Sequence, residues 1–269
     1  MKRLLEYAFY VLLLCQACQI PSVAAAWVTM PGTAKDIAAG PDGSVWIVGT
    51  STVSNFGNEI FRWDGRGWNR IDGAAVRIAV GPNDQAWIVT ATDQVFRFNG
   101  LGWDLIPGTA KDIGVGANGA VWIVGGNPEA AGFGIFQWSN ATWIKVPGSA
   151  TRIAVDAQGL PWVVTNERKI YRFDGKDWTN LPGRASDIGA GASGAIFVAN
   201  DGVSLARWDG SKWQDAPPFA SRLTGVTVDG TGRPWAVAAD GQIIAWDPPK
   251  NAVTPSYLPR ATGPIPPPR

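Results

Sequence analysis

Trp27, Trp68, Trp103, Trp143, Trp178 and Trp213 stand 41, 35, 40, 35 and 35 residues apart, and the text between them repeats. Repetition at this period constrains the fold more than any other feature. One unit of this length cannot bury its own apolar face and has to stack on its neighbours. Behind most of these tryptophans comes Pro-Gly or an equivalent: Pro31-Gly32, Asp72-Gly73, Pro107-Gly108, Pro147-Gly148 and Pro182-Gly183. Next comes a strand of small and β-branched residues, such as Ile37-Ala38-Ala39-Gly40 or Ile113-Gly114-Val115-Gly116. A turn leads into an aromatic strand, such as Val45-Trp46-Ile47-Val48 or Ala86-Trp87-Ile88-Val89. A third strand ends on an aromatic and Asp-Gly or Asn-Gly, as in Phe61-Arg62-Trp63-Asp64-Gly65 and Phe96-Arg97-Phe98-Asn99-Gly100. The next Trp then opens a fourth strand.

Four short strands per unit predict an all-β fold, a six-bladed β-propeller of four-stranded antiparallel blades. Asp-Gly and Asn-Gly predict tight hairpin turns. The small-residue strand suits the crowded axis. All 15 Trp fall at one of three repeat positions, which predicts packing between blades. Repeat six runs from Trp213 to about Lys250 with no Trp after it, whereas Trp27-Val28-Thr29-Met30 has no blade before it. The N-terminal strand is therefore expected to complete the last blade and close the ring, removing two open edges. The residue before each inner strand alternates: Asp36, Arg77, Asp112, Arg152, Asp187, Arg222. This predicts a structural charged ring in which each Asp lies between two Arg. It also predicts a copied unit of two blades, hence pseudo-threefold symmetry.

The ends read differently. Residues 1–26 have the pattern of a secretory signal peptide: Lys2 and Arg3, an apolar stretch from Leu4 to Leu14, and small residues at Val23-Ala24-Ala25-Ala26. Cleavage near Ala26 is expected, giving a secreted, periplasmic or extracellular protein. A lipoprotein signal ending at Cys15 or Cys18 fits less well. Cleavage would leave 21 basic and 21 acidic residues and remove both cysteines, so packing alone would stabilise the domain. Residues 27–250 form the expected propeller, with repeats starting near 27, 68, 103, 143, 178 and 213. Residues 251–269 read as a Pro-rich flexible tail.

Composition excludes several functions. The full chain has 23 Lys+Arg and 22 Asp+Glu, which argues against a nucleic-acid partner. It has no His, which removes His-based acid–base catalysis and His metal sites. No nucleophile–base pair is visible in the pattern, so no catalytic residue, metal or cofactor is expected. Variable connections on a rigid scaffold usually carry function, and those after the second strands of repeats one and three are the longest. They run from Gly49 to Glu59 and from Gly125 to Gly134. Their amides, hydroxyls and aromatics suit sugars, and the candidate contacts are Asn55, Phe56, Asn58, Asn127, Glu129 and Phe133.

The pattern Trp-x-x-apolar-Pro-Gly-x-Ala-x-x-Ile-x-x-Gly-x-x-Gly-x-x-Trp, as from Trp103 to Trp122, resembles the tectonin repeat. So does Ile-Tyr-Arg-Phe-Asp-Gly from Ile170 to Gly175. The resemblance spans residues 27–250 and implies a six-bladed propeller. Fish-egg lectins of this family recognise microbial glycans, so it further implies binding of surface glycans or lipopolysaccharide-type sugars without catalysis. Repeat six departs most, because Phe219-Ala220 replaces the Pro-Gly region. The expected protein is a monomeric lectin-like module with weak repeated sites. Alternatives are an envelope scaffold with a protein partner and, less favoured, a lactonase- or lyase-type enzyme with chemistry in the channel.

Overall fold

In the computed structural model residues 26–200 and 204–247 are described. The expected signal peptide and Pro-rich tail lie outside the described residues. Trp27–Trp246 form one compact unit. It is built of antiparallel strands, and among the described residues the one helical element is a single 3-10 turn, Pro82–Asp84. Strands β1 (Ala26–Ala39), β2 (Val45–Ser54), β3 (Gly57–Trp63) and β4 (Trp68–Ala75) pair in chain order. Strands β5 (Arg77–Val80), β6 (Ala86–Val89) and β7 (Gln94–Phe98) pair in turn and end on β8 (Trp103–Val115). Strand β8 continues into β9 (Val121–Glu129), β10 (Gly132–Ser139) and β11 (Thr142–Ala150).

Two four-stranded sheets follow, β12 (Arg152–Val155) to β15 (Trp178–Leu181) and β16 (Ala185–Ala190) to β19 (Trp213–Asp215). The last group is β20 (Leu223–Val228), β21 (Pro234–Ala238) and β22 (Gln242–Asp247), and β22 is hydrogen-bonded to β1. Strands β1 and β8 therefore each serve two groups. Their first halves lie on the preceding group and their second halves start the next.

The core lies between neighbouring sheets. Every residue of Val45–Val48 is buried, because both faces of the second strand meet another sheet. Trp46, Val48 and Ile60 pack on Ile78, Val80 and Ile88 of the next group. Ile37 and Ile47 pack on Trp235, Val237 and Ile243 of the last. The inner strands line a narrow channel of about 70 Å³. Backbones there approach so closely that a Cβ on Gly189 would lie 2.7 Å from the Val226 carbonyl oxygen.

The Trp and Pro-Gly of the repeat are two halves of one contact. Trp68 Nε1 donates to the Pro31 carbonyl (2.7 Å), Trp103 to Asp72 (2.7 Å), Trp143 to Pro107 (2.6 Å), Trp178 to Pro147 (2.6 Å) and Trp213 to Pro182 (2.7 Å). Trp27 makes the same bond to Pro217 (3.0 Å). In the first five of these contacts the acceptor is followed by a glycine of positive φ, whose missing side chain gives the indole room: a Cβ on Gly108 would lie 2.8 Å from Trp143 Nε1. Each of these indoles also meets the aromatic that ends the third strand. Ring centroids are 4.9 Å apart for Trp63–Trp68 and 5.0 Å for Trp27–Trp246. Such a pair contributes about 0.5–1.5 kcal/mol beyond its buried area.

The turns depart from expectation. Trp63 pairs with Trp68, so Asp64-Gly65-Arg66-Gly67 is a four-residue loop rather than a tight turn. Asp64 Oδ1 accepts from the N–H groups of Arg66 and Gly67, both at 2.8 Å. These donors, Gly67 first, hold the Asp64 carboxyl below its ordinary range. Asn99 and Asp174 repeat the arrangement. The two-residue turn instead falls at Asn140-Ala141, both with positive φ (50° and 59°), between paired Ser139 and Thr142. The long connections of repeats one and three are not open loops either. Strands β2 and β3 run on to a two-residue tip, Asn55-Phe56, with Ser54 opposite Gly57. Strands β9 and β10 do the same, with Glu129 opposite Gly132 and Ala130-Ala131 at the tip.

Candidate functional site

Two places gather chemistry, and the first is the charged end of the inner strands. Asp36, Arg77, Asp112, Arg152 and Asp187 share one register position, opposite Val48, Val89, Val124, Val164 and Ala199. In β20 the residue at that position, opposite Val237, is Gly225. Arg222 is therefore not a ring member, which corrects the sequence reading. Counted back from the aspartate that follows the inner strand, Gly225 precedes Asp229 by four residues as Arg152 precedes Asp156, whereas Arg222 precedes it by seven. Arg222 thus falls three residues short of the ring position and is exposed, and β20 carries a bulge between Leu223 and Gly225 like that between Ala34 and Asp36.

Each Asp staples one repeat to the next. Asp36 Oδ2 accepts from Ile78 N–H (2.8 Å), Asp112 Oδ2 from Ile153 N–H (2.9 Å) and Asp187 Oδ2 from Val226 N–H (2.8 Å). Arg77 reaches Asp36 (3.3 Å) and Asp112 (3.7 Å), and Arg152 reaches Asp187 (3.6 Å). A Cβ on Gly225 would lie 3.8 Å from Asp187 Oδ2 and 4.0 Å from Asp36 Oδ1. These two carboxylates thus flank a position with no cation, where alternation predicted Arg on both sides of each Asp. Burial pushes Asp187 up to about 7 against the pull of Arg152, and burial likewise raises Asp36. Among the described residues, no three His, Cys, Asp or Glu side chains converge to hold a metal.

The second place is an open groove of about 500 Å³ beside the repeat-one hairpin. The hairpin supplies Val53, Ser54 and Phe56, and β4 supplies Arg70, Gly73 and Ala74. The next repeat supplies Ile88, Thr90, Gln94, Phe96 and Trp103. The tip is fastened over that repeat by Ala91 N–H donating to the Phe56 carbonyl (2.7 Å). Phe56 is 42% exposed. The lining holds one cation, no carboxylate, three aromatic rings and the neutral polar groups of Ser54, Thr90 and Gln94.

Of the six sequence candidates, Phe56 lines this groove and Asn55 stands exposed beside it at the tip. Asn58 is buried, its carbonyl oxygen accepting from Lys35 Nζ at 3.4 Å. The other three sit on the repeat-three hairpin and are not brought together with these. Asn127 is exposed, Glu129 is tied to Lys145 (2.7 Å), and Phe133 has the Lys111 ammonium 5.6 Å from its ring. Sequence reasoning missed Arg70, Phe96 and Trp103. Their signal was present in the repeat alignment, which places the Thr90–Gln94 connection beside the preceding repeat's hairpin.

The antiparallel four-stranded groups and inter-sheet core are those of a β-propeller. The Tectonin domain matches the sequence at residues 15–99, 74–171 and 151–256, and the chain belongs to that family. No curated protein matches it by sequence. Among solved structures it is similar to a streptogramin B lyase (15% identity, 83% of this chain and 97% of that one, TM-score 0.54). It is also similar to YCF48 bound to a D1 peptide (15%, 84% and 98%, TM-score 0.53). A gluconolactonase of Xanthomonas campestris is a third (12%, 83% and 90%, TM-score 0.62). At these identities the likeness concerns the fold alone.

Proposed function

We propose that this chain is an exported, non-catalytic carbohydrate-binding propeller that acts as a monomer on surface glycans, lipopolysaccharide-type sugars included. It has six blades, and its N-terminal strand closes the ring on the last. The pairing of β22 with β1 and the Trp27–Pro217 bond support that closure. The observation that carries the binding reading is the repeat-one groove. Sugar rings present apolar C–H faces and a rim of hydroxyls. Phe56, Phe96 and Trp103 offer rings for the faces, and Ser54, Thr90 and Gln94 offer donors and acceptors for the rim. Asn55 at the tip would add an amide. Asn127, Glu129 and Phe133 would serve a second, weaker site, and multivalency would supply avidity.

The ring carboxylates support a structural role, because each accepts a backbone N–H from the next repeat. Exposed Val53 and Phe56 favour one second reading, docking of an envelope protein on the same groove. The similar YCF48 structure holds a peptide. A glycan array probed with the whole folded chain tests the proposal. Retention on a coherent glycan family supports it, and a silent array overturns it in favour of the protein partner.

A further inference from the structure

Repeats one and three place the same cation differently. Arg70 stands opposite Phe61 and Lys145 opposite Phe136, so the two occupy equivalent positions on β4 and β11. Ser54 opposite Gly57 and Glu129 opposite Gly132 are likewise equivalent. In repeat three the Glu129 carboxylate neutralises Lys145 at 2.7 Å. In repeat one Ser54 stands at that position, the hairpin's own acid, Glu59, accepts from Ser51 N–H (3.4 Å), and among the described residues Arg70 has no ion-pair or hydrogen-bond partner. The groove beside it contains no acid. One hairpin therefore closes its charge internally and the other leaves a guanidinium facing an aromatic groove.

We propose that the repeat-one groove takes an anionic saccharide, whose carboxylate or phosphate replaces the missing Glu129-type carboxylate at Arg70. This rests on the carbohydrate reading above. The sugar ring lies against Phe56 and Trp103 while the acid group pairs with Arg70. A guanidinium binds a planar carboxylate or a phosphate through two parallel N–H bonds, so the acid group fixes the ring's orientation as well as adding attraction. Both acids share this chemistry, and the test separates them.

The whole chain is titrated at low salt with digalacturonate, galactose 6-phosphate, galactobiose and galactose, read by tryptophan fluorescence and calorimetry. The acidic members are expected to bind about tenfold more tightly than their neutral counterparts. Preference for digalacturonate or for galactose 6-phosphate identifies the acid group. Arg70→Gln should abolish the acidic preference and leave neutral binding intact. Ser54→Glu should also abolish the acidic preference with Arg70 still present, by rebuilding the repeat-three ion pair, and should otherwise weaken acidic and neutral sugars alike, only by the loss of its rim hydroxyl. Lys145→Gln should leave the acidic preference in place. Equal binding of acidic and neutral sugars, or an acidic preference that survives both Arg70→Gln and Ser54→Glu, overturns the proposal and leaves the carbohydrate reading standing. No binding of any saccharide, together with a silent array, overturns both.

Discussion

The hairpins of repeats one and three share a backbone and differ in chemistry. Both end in a two-residue tip whose carbonyl accepts an N–H from the next repeat: Ala91 to Phe56 at 2.7 Å, and Asn166 to Ala131 at 3.0 Å. Both use a glycine at high positive φ, Gly57 at 137° and Gly132 at 142°, against the carbonyl of Ala75 or Ala150. Their side chains then diverge. Repeat three satisfies Lys145 with Glu129 and covers Phe133 with Lys111, whereas repeat one leaves Arg70 without a partner among the described residues and Phe56 exposed. A repeated scaffold keeps the residues its backbone demands and varies those that the backbone does not constrain. The ring beneath shows the same contrast, since Arg77 bridges two repeats and Gly225 leaves a bridge out.

The largest effect should fall on what the hairpins share. Gly57→Ala and Gly132→Ala each force a Cβ against a carbonyl at a positive φ. Each should cost about 2–4 kcal/mol of stability, read by urea unfolding. A cost at only one of them would break the structural equivalence.

The ring contrast should appear as a pH dependence. Asp187 has a folded pKa near 7, above its ordinary 3.8, so the folded state holds a proton that the unfolded state releases. Stability from this group is full below about pH 4, falls as pH rises, and is lost above 7. Asp187→Asn should flatten the fall. Gly225→Arg, whose Cβ meets only ordinary contacts, should supply the missing cation and raise stability at pH 8 by about 1 kcal/mol. Unchanged pH profiles in both variants would show that the carboxylates flanking Gly225 are not short of a counter-charge.

The smallest effect separates the two cations. Lys145→Gln should cost about 0.2–1 kcal/mol, less at high salt, because it breaks a largely exposed ion pair. Arg70→Gln should leave the unfolding midpoint where it was. A cost for Arg70→Gln equal to that for Lys145→Gln would mean that Arg70 has a structural partner after all.

Much of this was legible in the residues. The Trp period, the Pro-Gly behind it and the aromatic third strand marked the all-β repeat, because each is a contact that every copy must make. The groove was only half legible. Phe56 could be singled out from its own connection, but Arg70 and Trp103 join it from strands 14 and 47 residues further along the chain. Arg222 was misplaced because repeat six lengthens the segment before its inner strand, so that the strand's register, not the nearest charge, decides which residue faces Val237.

Sequence alone determined what recurs: strand order, the small inner strand, and the tryptophans that meet the preceding repeat. These follow from local propensity and from the demand that every unit bury its faces against the next. Only the tertiary structure decided what happens once. It set Gly225 rather than Arg222 between Asp187 and Asp36, tied Glu129 to Lys145, and left Arg70 open over the aromatic groove. Those outcomes depend on register and on which distant side chains share a volume, and neither is written in any one repeat.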